Sequence, residues 1–187
     1  YKSCEIIRTL QKAGHDVKVV MTEHGAEFIG PTTFRALTGH EVAVGLFDNP
    51  SDPIHHISLA KEPDVFLIAP ATANVIAKIA HGVADDLLTT TALATKVPLI
   101  VAPAMNSGMW QDEATQENIR TLESRGITIV SPSSGYLACG DVGEGRLEDP
   151  DVIAQATMDV LARKHDMEGM RVLSTAGPTQ EPIDPVR

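Results

Sequence analysis

The chain has 187 residues, of which 43% are hydrophobic and 21% are charged, as in a folded globular protein. Its 15 Lys and Arg against 25 Asp and Glu give a formal net charge of −10, which disfavours binding to nucleic-acid phosphates. Two cysteines are too few for a disulfide framework or a zinc site, so we expect a reducing, cytoplasmic compartment and no bound metal. No apolar run reaches about 18 residues, so no membrane span is predicted.

Helical and strand-like segments alternate along the chain. The predicted helices cover residues 1–14, 23–29, 32–37, 56–61, 73–81, 86–95, 112–125 and 152–163. The predicted strands cover residues 16–21, 42–46, 64–69, 97–102, 127–130 and 170–174. Strands 64–69 and 97–102 are apolar at consecutive positions, as in a parallel sheet covered on both faces. This order predicts an α/β fold with a doubly wound parallel sheet, a flavodoxin- or Rossmann-like three-layer sandwich.

The sequence opens on a helix rather than on a strand. In nucleotide-binding α/β folds the first strand is central, and the turn after it holds a phosphate. We therefore expect the parent protein to supply a first strand and its turn before Tyr1.

Polar residues follow two of the predicted strands at the start of the next helix. Thr22 follows strand 16–21, and Thr72 and Asn74 lie in the segment 69–74. Ligands of open α/β sheets bind at the carboxyl ends of strands, where helix N-termini offer backbone N–H groups to anions. The alternative is that these side chains serve only as N-caps.

The segment 102–110, Ala-Pro-Ala-Met-Asn-Ser-Gly-Met-Trp, follows another apolar strand. The side-chain amide of Asn106 can donate a hydrogen bond to a substrate carboxylate. The alternative is a turn asparagine beside packed Met and Trp side chains.

Histidines and one cysteine provide further candidates for proton transfer. His55 and His56 follow a loop rich in Pro and Asp, and a histidine there can act as a base near neutral pH, although most are structural. His81 is interpreted as structural or exposed. The segment 131–149 is rich in Gly, Ser and Asp without a clear period, which favours a mobile flap. Cys139 in that flap is a candidate proton donor or nucleophile, or an ordinary free thiol.

Together these segments resemble the homo-oligomeric flavin-containing cysteine decarboxylases. Residues 103–110 match the family motif Pro-x-Met-Asn-x-x-Met-Trp, and 69–74 and 82–88 resemble its flavin-site segments. Residues 138–146 resemble its substrate-recognition clamp. The resemblance implies a decarboxylase domain over 1–164 that lacks its first strand. Residues 165–187 would be a linker and the start of a phosphopantothenoylcysteine synthetase domain.

The resemblance implies FMN-dependent decarboxylation of 4′-phosphopantothenoylcysteine to 4′-phosphopantetheine in coenzyme A biosynthesis, through thioaldehyde and enethiol intermediates. It assigns proton removal to His56, carboxylate binding to Asn106 and reprotonation to Cys139. The flavin contacts it implies are Thr22, Thr72, Ala73, Asn74 and Met105. The substrate contacts it implies are Ala104, Met105, Asn106, Gly140 and Asp141.

Two other functions within the same resemblance stay open. A peptidyl-cysteine decarboxylase would stop at the enethiol, but Cys139 and the synthetase-like tail argue against it. A non-catalytic flavin-binding regulatory protein would lack a catalytic residue, yet His56, Asn106 and Cys139 are all present. The family also implies a homotrimer, which can assemble into a dodecamer.

Overall fold

The computed structural model describes residues 1–48, 52, 54–136 and 142–162. In chain order the helices are α1 (Lys2–Lys12), α2 (Glu23–Phe28), α3 (Pro31–Thr38), α4 (His55–Lys61), α5 (Ala73–His81), α6 (Leu87–Ala94), α7 (Ser107–Gln111), α8 (Glu113–Ser124) and α9 (Pro150–Ala162). The strands are β1 (Phe66–Ala71), β2 (Leu99–Pro103), β3 (Thr128–Ile129), β4 (Ser133–Tyr136) and β5 (Val142–Arg146).

A parallel sheet of order β1-β2-β3 organises the fold. Side chains of β2 alternate between two cores, as the period of two of a strand requires. Leu99 and Val101 pack in the core that α5 and α8 share, whereas Ile100 and Ala102 pack in the core that α1 and α9 share. Helices therefore cover both faces of the sheet, which confirms the predicted doubly wound three-layer architecture.

Two glycines in the left-handed conformation end helices. Gly39 follows α3 and Gly82 follows α5, with φ of 76° and 69°. A residue with a Cβ rarely adopts this left-handed conformation, so glycine at these sites terminates the helix without strain. The predicted helix 32–37 begins one residue earlier, because Gly30 is the N-cap of α3 and Pro31 opens the helix.

The predicted strands 16–21 and 42–46 are reduced to one parallel bridge between Val20 and Ala43. Met21 N donates to Ala43 O at 2.8 Å, and Ala43 N donates to Val19 O at 3.1 Å. The alternating apolar side chains pack as predicted, since Met21 is buried in a small core with Ile7 and Phe34. Their burial does not require a long ladder of backbone hydrogen bonds.

The segment 131–149, predicted as a flap without regular periodicity, contains two strands among its described residues. Strands β4 and β5 form an antiparallel hairpin in this segment, with Gly135 opposite Gly143. The strands of this hairpin are rich in glycine and serine and lack alternating apolar side chains, so hydrophobic periodicity does not indicate them. No helix among the described residues is long and apolar enough to cross a membrane.

Candidate active site

The turns after β1 and β2 lie side by side at the carboxyl edge of the sheet. Ala71 pairs with Pro103 at the ends of these strands, and Ala104 N donates to Ala71 O at 2.9 Å. This bond continues the contact between the strands into the turns that follow them. It brings the segments 72–74 and 104–106 together, as the sequence predicts.

Three of the predicted polar residues at this edge cap helices, whereas Asn74 lies within the first turn of α5. Thr72 Oγ1 accepts from Val75 N at 3.4 Å, and Asn106 Oδ1 accepts from Gly108 N at 2.8 Å. Thr22 Oγ1 accepts from Gly25 N at 3.0 Å, next to the Val20–Ala43 bridge. The N-cap interpretation is therefore correct for Thr22 and Thr72, and it applies to Asn106 as well. It leaves ligand binding open, because a cap uses only part of the side chain's hydrogen-bonding capacity.

Solvent reaches several of the predicted flavin and substrate contacts. Thr72, Asn74 and Asn106 are exposed, whereas Thr22 is half-buried. Ala73, Ala104 and Met105 are also half-buried, and Met105 packs against the core of α5 and α8. A ligand lying across this edge could therefore meet exposed polar groups and a partly apolar floor.

Trp110 anchors the turn that carries Asn106. Its side chain is 8% exposed and packs with Ile119 and Leu122 in the core, while Met109 is 50% exposed. Trp110 N donates to Asn106 O at 2.9 Å, and Gln116 Nε2 donates to Trp110 O at 2.6 Å. The Met-Asn-x-x-Met-Trp pattern thus combines a buried anchor with an exposed asparagine four residues earlier.

The neighbouring histidines at the start of α4 have different surroundings. His55 Nδ1 lies 3.3 Å from Asp52 Oδ2. His56 Nδ1 is buried and has no hydrogen-bond partner among the described residues. Because α4 leads into a parallel strand, its first residues lie toward the carboxyl edge of the sheet. His56 is therefore the better candidate for interaction with a ligand, since an unpaired buried nitrogen is costly.

Asp52 fixes the first turn of α4. A hydrogen bond from the Ser58 side chain lowers the pKa of Asp52, and bonds from His55 and Ile54 N add to this effect against the opposing effect of burial. Ile54, the N-cap residue, offers no side-chain cap of its own. Asp52 therefore replaces a conventional N-cap, a role that the composition of the loop before α4 does not by itself indicate.

The segment 82–88 holds α5 and α6 together. Lys78 Nζ lies 2.6 Å from Asp85 Oδ1 and 3.1 Å from Asp86 Oδ2, and these carboxylates raise the pKa of Lys78. Burial alone would raise the pKa of Asp86, but hydrogen bonds from Thr89 and Lys78 outweigh it and lower that pKa. Asp86 also forms a capping box with Thr89. These contacts give the segment 82–88 a structural role.

Strand β5 packs against the turn that carries Asn106. Met105 N donates to Gly145 O at 2.9 Å, and Gly143 lies against Ser107. This contact is not among the sequence predictions. Its signal is the Gly-x-Gly spacing, since glycine inside a strand often marks a close approach of another backbone. Cys139, Gly140 and Asp141 belong to the segment between β4 and β5 and lie outside the described residues.

An open cavity of about 400 Å³ lies elsewhere, between α1 and the start of α9. Charged side chains of both signs line it, among them Lys2, Arg8, Arg146 and Asp151. None of the predicted site residues is among its lining residues. In the part of the chain that the structure describes, no group of His, Cys, Asp or Glu side chains could hold a metal ion.

Known proteins resemble this chain in sequence and in structure. The Coenzyme A biosynthesis bifunctional protein CoaBC of Haemophilus influenzae is 47% identical over 188 residues, covering 100% of this chain and 47% of the relative. The protein of the same name from Bacillus subtilis is 49% identical over 196 residues, with the same two coverages. The chain thus spans about half the length of these curated relatives.

Solved structures share the fold over most of its length. A PPC decarboxylase mutant complexed with pantothenoylaminoethenethiol matches with a TM-score of 0.73 and 31% identity, over 84% of this chain and 88% of that one. The FMN-dependent cysteine decarboxylase SpaF matches with a TM-score of 0.72 and 34% identity, over 86% and 89%. A family model described as Flavoprotein matches residues 1–162. The chain therefore belongs to the Flavoprotein family.

Proposed function

We propose that this chain binds FMN and decarboxylates 4′-phosphopantothenoylcysteine to 4′-phosphopantetheine, as one part of a bifunctional enzyme of coenzyme A biosynthesis. The observation that carries the proposal is the junction of segments 72–74 and 104–106, through the bond from Ala104 N to Ala71 O. The names of the relatives support the same reaction, since they include a PPC decarboxylase and bifunctional coenzyme A biosynthesis proteins.

The residues at the carboxyl edge of the sheet have side-chain and backbone groups suited to holding FMN. Thr72 and Asn74 are exposed at the N-terminus of α5, where backbone N–H groups favour an anionic ligand. Thr22, Ala73 and Met105 would complete the contacts. FMN, when bound, would supply a two-electron acceptor that later returns the electrons. A simple α-carboxylate cannot depart without such an oxidation, because the resulting carbanion would have no stabilisation.

His56 and Asn106 would act directly on the substrate. Oxidation of the substrate thiol to a thioaldehyde releases a proton, and we assign its removal to His56, whose buried Nδ1 has no partner among the described residues. The Asn106 amide would hold the substrate carboxylate, with its Oδ1 already bonded to Gly108 N. Carbon dioxide then leaves, because the thioaldehyde beside it accepts the electron pair and becomes an enethiol.

Reduction of the enethiol to 4′-phosphopantetheine needs a proton donor, and we assign this role to Cys139. Gly140 and Asp141 are the proposed substrate contacts. All three lie outside the described residues, but β5 continues from this segment and contacts Met105 through Gly145. We predict that Cys139→Ser still releases carbon dioxide but accumulates the enethiol, as measured by mass spectrometry. Accumulation of unreacted substrate would contradict this role.

The reaction is tested by mass spectrometry of 4′-phosphopantothenoylcysteine incubated with the full-length, FMN-loaded protein. Loss of carbon dioxide alone is the expected result, and FMN-free protein is the control. Loss of carbon dioxide together with two hydrogens would indicate the peptidyl-cysteine type of decarboxylase. Bound FMN with no turnover would indicate a regulatory flavoprotein.

We further propose a decarboxylase domain over residues 1–164 and the start of a ligase domain over 165–187. The bifunctional relatives support this division, because they match all of this chain over 47% of their own length. We also propose a homotrimer, able to form a dodecamer, and the exposed aromatic side chains of Phe28 and Phe47, at 92% and 84%, support an assembly that covers apolar surface. A cytoplasmic location suits a mechanism that needs the free thiol of Cys139. Light scattering of the purified protein tests the assembly.

A further inference from the structure

We propose that Gly143 and Gly145 are positioning residues, which set the turn 104–106 by letting β5 lie directly against it. The inference rests on the proposed function, because that turn carries Asn106, to which we assign the substrate carboxylate. Neither glycine has a side chain that could touch the substrate, so their role would be exerted through Met105 and Ser107.

The first observation is a β-bulge at Gly145. Arg146 pairs with Ser133 and Glu144 pairs with Ser134, so Gly145 is an extra residue of β5 with no partner in β4. Its φ of 128° is one that residues with a Cβ rarely adopt. A bulge redirects the backbone out of the ladder, and here the carbonyl of Gly145 accepts from Met105 N at 2.9 Å. The bulge therefore directs the Gly145 carbonyl to the turn 104–106 instead of to β4.

The second observation is the closeness of the two backbones. A Cβ on Gly145 would overlap sterically with the Met105 carbonyl oxygen and lie 3.4 Å from the carbonyl carbon of Asn106. A Cβ on Gly143 would fall on the Ser107 hydroxyl and lie 3.2 Å from Ser107 Cβ. The Met105 carbonyl, which obstructs a Cβ on Gly145, is backbone and can move only with the turn. The Ser107 hydroxyl, which obstructs a Cβ on Gly143, is a side-chain group that a mutation can remove.

Ser107 does not attach the strand by its hydroxyl. Its Oγ is buried and has no hydrogen-bond partner among the described residues. The fit between β5 and the turn thus depends on the absence of side chains at Gly143 and Gly145, together with the one backbone bond from Met105. Displacing β5 would displace Met105 and Asn106, and a misplacement of about 1 Å can cost about 100-fold in rate.

The test uses the FMN-loaded, full-length protein with four substitutions, alone and in pairs. We expect Gly143→Ala to lower kcat/KM by between about tenfold and 100-fold. Ser107→Ala alone should stay within about threefold of wild type and should restore most of the activity lost in Gly143→Ala, because it removes the overlapping hydroxyl and leaves only the 3.2 Å contact with the Cβ of residue 107. Gly145→Ala should stay impaired with Ser107→Ala, because its obstacle is the Met105 carbonyl. Visible circular dichroism of the bound FMN should change in Gly143→Ala and in Gly145→Ala, since Met105 is a proposed flavin contact. Adding Ser107→Ala should reverse the change in Gly143→Ala but not in Gly145→Ala.

Gly126→Ala is the matched control. Gly126 has φ of 82°, but a Cβ there would meet nothing within 4 Å. It should lower the thermal midpoint through backbone strain alone and leave kcat/KM unchanged. The proposal is overturned if Gly126→Ala loses as much activity as Gly145→Ala, or if Ser107→Ala fails to rescue Gly143→Ala. If the wild type binds FMN but has no decarboxylase activity, the proposed function fails, and the dichroism pattern still decides the positioning role.

Discussion

Replacing Thr72 by aspartate should separate the two roles of this residue. Thr72 caps α5 through its bond from Val75 N and is also a proposed contact of FMN. Aspartate is as good an N-cap as threonine and favours the helix N-terminus electrostatically. Thr72→Asp should therefore keep the free energy of unfolding, whereas Thr72→Ala should lose about 0.5–1 kcal/mol, at the low end for caps because the bond is 3.4 Å long.

The same substitution should weaken FMN binding. A carboxylate at roughly 4 Å from a negative charge costs about 1 kcal/mol in water and about 4 kcal/mol at an effective dielectric constant of about 20. Because Thr72 is exposed, the penalty should lie between these limits. Since about 1.4 kcal/mol corresponds to tenfold, the Kd for FMN should rise between about fivefold and 1,000-fold.

Urea unfolding of the FMN-free protein and quenching of FMN fluorescence measure the two effects separately. Asp112→Ala is the control, because Asp112 caps α8 through a 3.0 Å bond from Ala114 N and is no predicted flavin contact. It should lose about 1 kcal/mol of stability and keep its affinity for FMN. Unchanged FMN affinity in Thr72→Asp would refute the placement of FMN at the N-terminus of α5.

The remaining predictions concern the turn after β2 and the start of α4. Asn106→Asp should keep the cap on Gly108 but raise KM and lower kcat, because it repels the substrate carboxylate; steady-state kinetics alongside the thermal midpoint measure this. Trp110→Ala should cost about 3–5 kcal/mol of unfolding free energy in urea, since the side chain is 8% exposed in the core. The lowered pKa of Asp52 stabilises the fold fully above its ordinary value of 3.8, and this contribution is lost as the pH falls through the folded-state pKa. Asp52→Asn should remove that acid-side dependence, as measured by unfolding between about pH 2 and 5.

The sheet core was predictable because burial leaves a direct trace in the sequence. Apolar residues at consecutive positions located β1 and β2 to within two residues. Strand β1 extends to Ala71, beyond the predicted end at residue 69, because the apolar run reports burial rather than backbone pairing. The predicted segments at the carboxyl edge came together for the same reason, since parallel strands end at one edge.

The parts that were missed depend on backbone contacts. The β4–β5 hairpin has no apolar alternation, and its register shifts between Ser133 and Ser134, so periodicity could not reveal it. Helix α7 has only five residues and is marked by its Asn106 cap alone. The long-range bond between Met105 and Gly145 joins residues far apart in sequence. Such contacts become visible only in three dimensions.

The caps at this edge also determine what it can select. Thr22, Thr72 and Asn106 each use a side-chain oxygen to accept a helix N–H. The hydroxyl hydrogens of Thr22 and Thr72 are not used by these caps, so both side chains can also donate to a ligand. The edge therefore suits ligands rich in lone pairs, such as phosphates, carboxylates and ring carbonyls. Helix capping and ligand selection are therefore two consequences of the same threonine hydroxyls.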